Sequence, residues 1–211
     1  MDNTSFVELI NKAGWVGWVM LFCSVLIVAY ALERFWAIMK IGKLDPSLTE
    51  RIKQCIRQGQ IKEAIALCNK NQGFITHALE VALNAAHFPR EEMESIFALY
   101  RMKLQGLLNK HLALFGTLAF IGPLLGLLGT VLGVIRAFQD LAISGSGGPP
   151  IVAKGIAEAL IATAGGIIVA VSSSVLYNMF TSKVRTTVQQ YDLLTQEVAI
   201  LVYTGASKGP K

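Results

Sequence analysis

Long uninterrupted apolar stretches, rather than a short-period alternation, dominate the hydrophobic pattern of this chain. Three stretches contain no Asp, Glu, Lys or Arg: Ala13–Leu32, His111–Ile135 and Ala159–Ser182. Each reaches the roughly 20 residues that a helix needs to cross the hydrocarbon core of a bilayer. Hydrocarbon offers no hydrogen-bond partners to the backbone, so each stretch is predicted to be a transmembrane helix. The pattern therefore predicts an all-α membrane protein with three spans.

Between the first two spans the pattern changes to short amphipathic segments. The run Asp45-Pro46-Ser47 predicts the start of a helix, and Ser47 and Glu50 have the spacing of a capping box. A second helix over Ile61–Asn69 and a third segment over Thr76–Ala86 each place their apolar residues on one face. The first two helices are expected to form a hairpin that packs these faces together.

Two of the spans are predicted to continue as helices outside the membrane. Between Pro89 and Pro123 the sequence contains no helix breaker, so a helix of about 45 residues and about 70 Å is expected to run into the second span. Beyond Ser182, apolar residues recur at steps of three and four: Val184, Val188, Tyr191, Leu194, Val198 and Leu201. Such a stripe is typical of a packing surface, and it predicts a helical bundle in the cytoplasm.

These patterns divide the chain into four segments. Residues 1–40 hold a periplasmic amino terminus and the first span, and residues 41–110 form a cytoplasmic helical region. Residues 111–182 contain the second and third spans with a short periplasmic loop, which is rich in Gly and Ser between Ser144 and Pro150. Residues 183–211 form the cytoplasmic carboxy-terminal helix and tail.

The distribution of charge predicts the orientation in the membrane. Charged residues make up only 16% of the chain, whereas about 25% is usual for soluble domains. Twelve Lys and Arg residues lie within Glu33–Lys110 and four within Thr181–Lys211, which leaves three elsewhere. The positive-inside rule places these two basic segments in the cytoplasm and the amino terminus in the periplasm. The net charge of +5 reflects this bias, and no basic patch has the interleaved aromatics of a nucleic-acid site.

The second and third spans are rich in small residues at a spacing of four. Rows of this kind let helix backbones approach closely in lipid. Because three helices offer few partners for two such rows, the chain is predicted to form a homo-oligomer. The residues predicted to pack these helices are Pro123, Gly126, Gly129, Gly133, Ala162 and Gly166.

Three polar side chains in these spans are candidates for an ion pathway: Thr130, Glu158 and Thr163. A threonine in a membrane helix commonly bonds a carbonyl of its own helix, which is the alternative for both hydroxyls. Glu158 either pairs with Lys154 one turn away or serves the ion path, since intramembrane carboxylates are usually functional. The residues alone leave these alternatives open. No nucleophile–base pair, phosphate loop or metal cluster indicates an enzyme, and no cofactor or metal is predicted.

Two runs of sequence resemble the ExbB/TolQ/MotA family of proton-channel motor subunits, and most closely ExbB and TolQ. The runs are Phe120–Phe138, which contains GPLLGLLGTVLG, and Gly155–Ala170, which reads GIAEALIATAGGIIVA. The three-span layout favours the ExbB/TolQ branch, because the MotA branch has an additional amino-terminal span. Ser172 stands where the family commonly has a proline. This difference predicts a straighter third helix whose serine hydroxyls bond back to the helix.

The resemblance implies both an assembly and a mechanism. Members form a pentamer whose second and third helices line a central pore, and a dimer of a single-span ExbD/TolR-like protein places its helices in that pore. An Asp of that partner takes up and releases the ion. Thr130 and Thr163 match the pore threonines that face this Asp, and Glu158 matches the glutamate of the third span.

The implied function is the pore-forming subunit of a bacterial inner-membrane motor that couples proton flow to mechanical work on the cell envelope. Two alternatives stay open: a membrane scaffold that conducts no ions, and a sodium-driven version of the same motor. A scaffold needs no carboxylate in the bilayer, so Glu158 favours the motor. Threonine hydroxyls suit either proton relay or sodium coordination. Beyond the homo-oligomer and its single-span partner, only membrane lipids are expected as partners, with no nucleic acid.

Overall fold

The structure, a computed structural model, describes residues 10–11, 13–41, 45–71, 73–144 and 148–206. Within these ranges the chain is helical and contains no strand. The helices are α1 (Gly14–Ile41), α2 (Pro46–Arg57), α3 (Ile61–Lys70), α4 (Phe74–Asn84), α5 (Arg90–Asn109), α6 (Leu112–Ser144) and α7 (Gly148–Ala206). Among them, α1, α6 and α7 are long and apolar enough to cross a membrane. The predicted all-α class with three spans is therefore confirmed.

The helices group into two compact units. Among the described residues, those within 1–33 and 111–180 form the span unit, and those within 34–110 and 181–211 form the bundle unit. Helices α1 and α7 contribute to both units. The centre of the predicted loop, residues 145–147, lies outside the described residues.

The start of α2 is stabilised by a cap, although the residue that forms it differs from the prediction. Asp45 is the N-cap, and its carboxylate accepts hydrogen bonds from the Ser47 amide at 3.0 Å and from the Ser47 hydroxyl at 2.8 Å. These bonds lower the pKa of Asp45. The predicted capping box of Ser47 and Glu50 is therefore wrong, because Glu50 pairs with Lys53 instead. An ionised Asp is as good an N-cap as Ser, and its position directly before Pro46 suits that role.

Helices α2 to α5 pack consecutively, each against the next. Helix α4 shows the pattern most clearly, because its buried residues recur at steps of three and four: Ile75, Ala78, Leu79, Ala82 and Leu83. The predicted hairpin of the first two helices is confirmed by the contact between α2 and α3. Burial raises the pKa of the Cys68 thiol to about 11, with a smaller contribution from Glu80. This thiol therefore stays protonated at neutral pH and packs as a small apolar group.

The carboxy-terminal half of α7 supplies the packing surface that its stripe predicts. Of the six stripe residues, Leu201 is half-buried. The other five are buried: Val184, Val188, Tyr191, Leu194 and Val198. Polar contacts attach this half of α7 to the neighbouring helices. The guanidinium of Arg101 on α5 donates to Asp192 at 2.8 Å, and the ammonium of Lys53 on α2 lies 2.9 Å from Glu197.

The chain breaks between α5 and α6, where a continuous helix was predicted. Helix α5 ends at Asn109, and His111 adopts a φ of 62°, in the left-handed region that non-glycine residues rarely occupy. The ring of His111 packs edge-on against Tyr30 with centroids 5.0 Å apart, and its Nδ1 lies 3.1 Å from the carboxylate of Glu33. These partners lie on α1, far away in sequence, so local helix propensity cannot predict the break.

A buried arginine satisfies the end of α5. Arg34 is only 3% exposed, and its guanidinium donates to the carbonyl of Leu107 at 3.2 Å. The last four carbonyls of a helix have no partner within that helix, and a cation is favourable at the negative end of the helix dipole. Arg34 therefore stabilises the bundle unit at the point where α5 ends.

The buried hydroxyl of Tyr191 gives a test of this packing. It donates to the carbonyl of Phe97 at 3.0 Å, and burial raises its pKa. Tyr203 makes the same kind of bond to the Phe88 carbonyl at 3.1 Å, but in an exposed position. Tyr191→Phe removes this buried hydrogen bond and should cost about 1 kcal/mol. The unfolding midpoint of the full chain in detergent should fall by about 2–4 °C.

Tyr203→Phe is the matched control, because water can replace its hydroxyl. Its midpoint should stay within about 1 °C of the wild type, since exposed substitutions usually change stability by less than 0.5 kcal/mol. Equal shifts for the two variants would contradict the assigned burial of Tyr191.

Candidate ion pathway in the membrane spans

Helices α6 and α7 pack against each other as an antiparallel pair, and glycines set how closely they approach. A Cβ added to Gly122 would lie 2.9 Å from the Gly166 carbonyl, and one added to Gly126 would lie 3.0 Å from the Cα of Thr163. One added to Gly133 would lie 2.8 Å from the Cβ of Ala159. Glycines later in α6 therefore contact residues earlier in α7, as expected for antiparallel helices.

Gly166 lies where the two backbones come closest. A Cβ at this position would lie 2.6 Å from the carbonyl of Gly122 and 2.8 Å from the amide nitrogen of Gly126. Both neighbours are backbone atoms, which cannot rotate away. Only glycine fits at this position.

The small-residue rows are therefore used inside one chain. A Cβ on Gly129 would collide with Ala162, which is 1% exposed, and a Cβ on Gly155 would collide with Ala137. The expectation that these rows need a second copy of the chain is wrong, because α6 and α7 already pair them. These rows therefore do not support the predicted homo-oligomer.

The structure brings together most of the residues predicted to pack these helices. Gly126, Gly129, Gly133, Ala162 and Gly166 all lie in the α6–α7 contact. Pro123 does not, because its side chain is exposed on α6. As a proline within a helix it has no N–H to donate to the carbonyl one turn earlier.

The two candidate threonines make different hydrogen bonds. Thr130 follows the helix-internal alternative, since its hydroxyl donates to the carbonyl of Leu127 on its own helix at 2.7 Å. Thr163 bonds across the pair instead, and its hydroxyl donates to the carbonyl of Gly126 on α6 at 3.2 Å. Both side chains are half-exposed in the single chain. Each hydroxyl therefore keeps its oxygen lone pairs available as acceptors.

Glu158 lies in a cleft at the end of the span unit where α6 finishes and α7 begins. The cleft has a volume of about 380 Å³, and Gly129 lines it as well, one residue before Thr130. Glu158 is half-buried. Among the described residues it forms no ion pair with Lys154, so the structure does not support the alternative in which the two merely pair.

Three further charged side chains line this cleft and were not considered together from the sequence. They are Arg136 and Asp140 on α6 and Lys154 on α7. In the sequence, Arg136 and Lys154 are two of the three basic residues outside the predicted cytoplasmic segments, and Lys154 is also the possible partner of Glu158. The available signal was a repeated spacing, because a basic residue precedes an acidic one by four positions on each side of the loop.

The serines near the middle of α7 do not behave as predicted. No hydroxyl of Ser172, Ser173 or Ser174 forms a hydrogen bond within the part of the chain that the structure describes, and Ser173 is fully buried. The expectation that these hydroxyls bond back to the helix is wrong. Helix α7 nonetheless continues through them without interruption, because serine, unlike proline, retains its backbone N–H.

Known proteins resemble this chain in sequence and in fold. The sequence profile of the MotA/TolQ/ExbB proton channel family matches residues 60–193. Biopolymer transport protein ExbB of Pseudomonas putida is 32% identical over 165 residues, which cover 74% of this chain and 50% of that protein. Biopolymer transport protein exbB1 of Vibrio cholerae serotype O1 is 30% identical, over 79% of this chain and 75% of that protein.

The fold likeness is to a solved structure of C. jejuni MotAB, with a TM-score of 0.67 over 96% of this chain and 78% of that one. At 18% identity it supports the fold alone. The chain spans only half the length of the Pseudomonas relative. Three long apolar helices with a glycine-lined α6–α7 pair define a helical membrane protein, and the profile match shows that the chain belongs to the MotA/TolQ/ExbB proton channel family.

Two glycine substitutions should have opposite effects on stability. Gly166→Ala places a methyl group against backbone atoms and should cost about 1–3 kcal/mol, as overpacking does. Gly106 on α5 is exposed and has nothing within 4 Å of its added Cβ. Gly106→Ala should therefore stabilise the chain by up to about 1 kcal/mol through helix propensity.

The thermal unfolding midpoint in detergent measures both changes. It should fall for Gly166→Ala and rise slightly for Gly106→Ala. A neutral Gly166→Ala variant would mean that α6 and α7 do not approach as closely as described.

Proposed function

We propose that this chain is the pore-forming subunit of an inner-membrane motor, which couples proton flow down the proton-motive force to mechanical work on the cell envelope. Family membership supports this assignment. The main supporting observation is the placement of two hydroxyls and one carboxylate along an α6–α7 pair whose close contact is made by glycine and alanine. Polar groups are costly in a bilayer and usually mark an ion path.

The proposed assembly is a homopentamer around a dimer of a single-span ExbD/TolR-like protein. Helices α6 and α7 of each copy line the pore, and the partner helices carry an Asp at the level of the threonines. The amino terminus lies in the periplasm and the carboxy terminus in the cytoplasm, so the bundle unit is cytoplasmic. The positive-inside distribution of Lys and Arg supports this orientation.

The threonine hydroxyls are proposed to follow the protonation state of that Asp. In the present arrangement both hydroxyls donate to backbone carbonyls, so they offer only lone pairs to the pore. Such oxygens accept a hydrogen bond from a protonated carboxyl group. An ionised carboxylate instead needs donors, because a charge in a dry pore is costly without them. Loss of the proton therefore requires at least one hydroxyl to rotate towards the carboxylate.

Thr163 is the hydroxyl better suited to rotate. Its bond to the Gly126 carbonyl is 3.2 Å long, whereas the Thr130 bond to the Leu127 carbonyl is 2.7 Å. The longer bond is at the weak end of hydrogen-bond geometry for a hydroxyl and costs less to break. A helix carbonyl that loses this bond keeps its own helical partner. We assign the donor role to Thr163 and the acceptor role to Thr130.

Glu158 is proposed to act at the mouth of the pathway. The cleft that it lines opens at the end of the span unit predicted to face the periplasm. A carboxylate at the mouth raises the local concentration of cations and therefore of protons that can reach the Asp. Glu158→Gln should slow the motor without abolishing it.

The two threonines can be separated by mutation. Thr163→Val keeps the shape but removes the donor, and motor-dependent growth should fall at least about tenfold, the factor expected for one hydrogen bond to a charged group. Thr130→Val should have the smaller effect. In membrane helices the lost bond costs only about 0.6 kcal/mol of stability on average, so both variants should still co-purify with the partner.

Thr163→Ser restores the hydroxyl and serves as the control, with motor activity near that of the wild type. The pore role would be refuted if the double variant Thr130→Val, Thr163→Val assembled with its partner and supported normal growth. That result would leave the threonines as packing residues and favour a scaffold that conducts no ions.

A further inference from the structure

The charged cleft of the span unit has walls from all three spans. Trp15 and Val16 of α1 line one side, and the outer turns of α6 and α7 line the others. The remaining lining is mostly apolar or small, so the four charged side chains concentrate in one place. Trp15 is about half exposed, as aromatic residues at a membrane–water interface commonly are.

Most of the charges in the cleft are not neutralised by one another. Within the described residues Arg136, Lys154 and Glu158 form no ion pair, whereas Asp140 is engaged in a contact of its own. The guanidinium of Arg136 lies over Gly14, so close that a Cβ there would be 2.9 Å from its Nη1. Gly14 also has a φ of 65°, which favours glycine. The backbone at this point thus makes room for the arginine.

An apolar groove adjoins the cleft and shares Ala13 with it. Its lining comes from α1 and α7, where Gly17 and Gly165 lack side chains that would fill it. The hydroxyl of Ser24 lies in the groove but donates to the Met20 carbonyl of its own helix at 2.9 Å. From Ile161 to Val169 the groove follows α7 for about 12 Å, most of the thickness of one leaflet's hydrocarbon, about 15 Å.

We infer that the cleft and groove together bind one phospholipid whose headgroup carries both a phosphate and a primary ammonium, as phosphatidylethanolamine does. Arg136 and Lys154 donate to the phosphate, and Glu158 accepts from the ammonium. One acyl chain lies in the groove between α1 and α7. Charge complementarity selects this headgroup, because an anionic headgroup without an amine leaves Glu158 facing a negative ligand. A choline headgroup has no N–H to donate.

This inference goes beyond the proposed motor function, because it gives the mouth carboxylate Glu158 a lipid ammonium as its ligand in place of free cations, and it is tested without the motor. The full-length chain, purified and stripped of lipid in detergent, is titrated with phosphatidylethanolamine, phosphatidylcholine and phosphatidylglycerol of identical acyl chains. Native mass spectrometry counts the lipids retained on each copy. The ethanolamine lipid should be retained at one per chain and about tenfold more tightly than the other two, the factor that one charge-assisted hydrogen bond supplies.

Variants assign the two halves of the headgroup. Arg136→Gln combined with Lys154→Gln should weaken retention of all three lipids about tenfold or more, because all contain the phosphate. Glu158→Gln should remove the preference for ethanolamine over choline and leave phosphate binding intact. Lys183→Gln combined with Arg185→Gln, which changes an exposed lysine and an exposed arginine of the bundle unit, is the charge-matched control and should behave as the wild type.

Two further variants test the groove. Ala164→Phe projects a ring into it and should reduce retention of every lipid. Val171→Phe is the control, because Val171 is exposed on the same helix but does not line the groove.

Three outcomes overturn the inference. Equal retention of the three lipids, unchanged by the charge variants, would show bulk bilayer lipid only. If Ala164→Phe leaves the retention of lipid unchanged, the acyl chain lies outside this groove. Cross-linking of Cys substituted at Ala164 to a second copy of the chain would show that a subunit, not a lipid, covers the groove. Ion flow is tested separately, by the threonine variants.

Discussion

The close approach of α6 and α7 is the constraint on which the rest of the span unit depends. Apolar side chains gain little by leaving lipid for one another, so helices in a bilayer associate mainly through backbone proximity and shape. Glycines at 122, 126, 129, 133, 155 and 166 create that proximity, and at Gly166 an added Cβ would lie 2.6 Å from a carbonyl. A pair held this closely gives its few polar groups fixed positions.

Those polar groups connect packing to the proposed function. Thr163 reaches the Gly126 carbonyl only because the two backbones are close. In the proposed function, the weakness of this bond makes Thr163 the hydroxyl that rotates towards a charge. Glu158 lies in the cleft where the spans meet beyond the close contact. The bundle unit has a different physical basis, with buried apolar stripes and specific polar contacts such as that of Arg34 with Leu107.

Patterns of hydrophobicity predicted the three spans, the α2–α3 hairpin and the stripe on α7, since these depend on which residues avoid water. The sequence did not predict the break at His111, which requires Tyr30 and Glu33 from a distant helix. From the sequence, the small-residue rows were also expected to form contacts between copies of the chain, whereas they pair α6 with α7 inside one chain. The spacing of small residues identifies a helix surface that can pack closely, but it does not identify the helix that packs against it. In the same way, only the tertiary structure shows that Arg136, Lys154 and Glu158 line one cleft.

The proposed function requires that this chain conduct protons through a pore completed by a partner's carboxylate. Proton uptake into liposomes, reconstituted with the chain and its single-span partner and containing a pH-sensitive dye, tests it most directly. Under an imposed membrane potential the complex should acidify the lumen, and replacement of the partner's Asp by Asn should abolish the signal. A complex that is fully assembled but moves no protons, or that moves them equally well with the Asn variant, would contradict the proposed function.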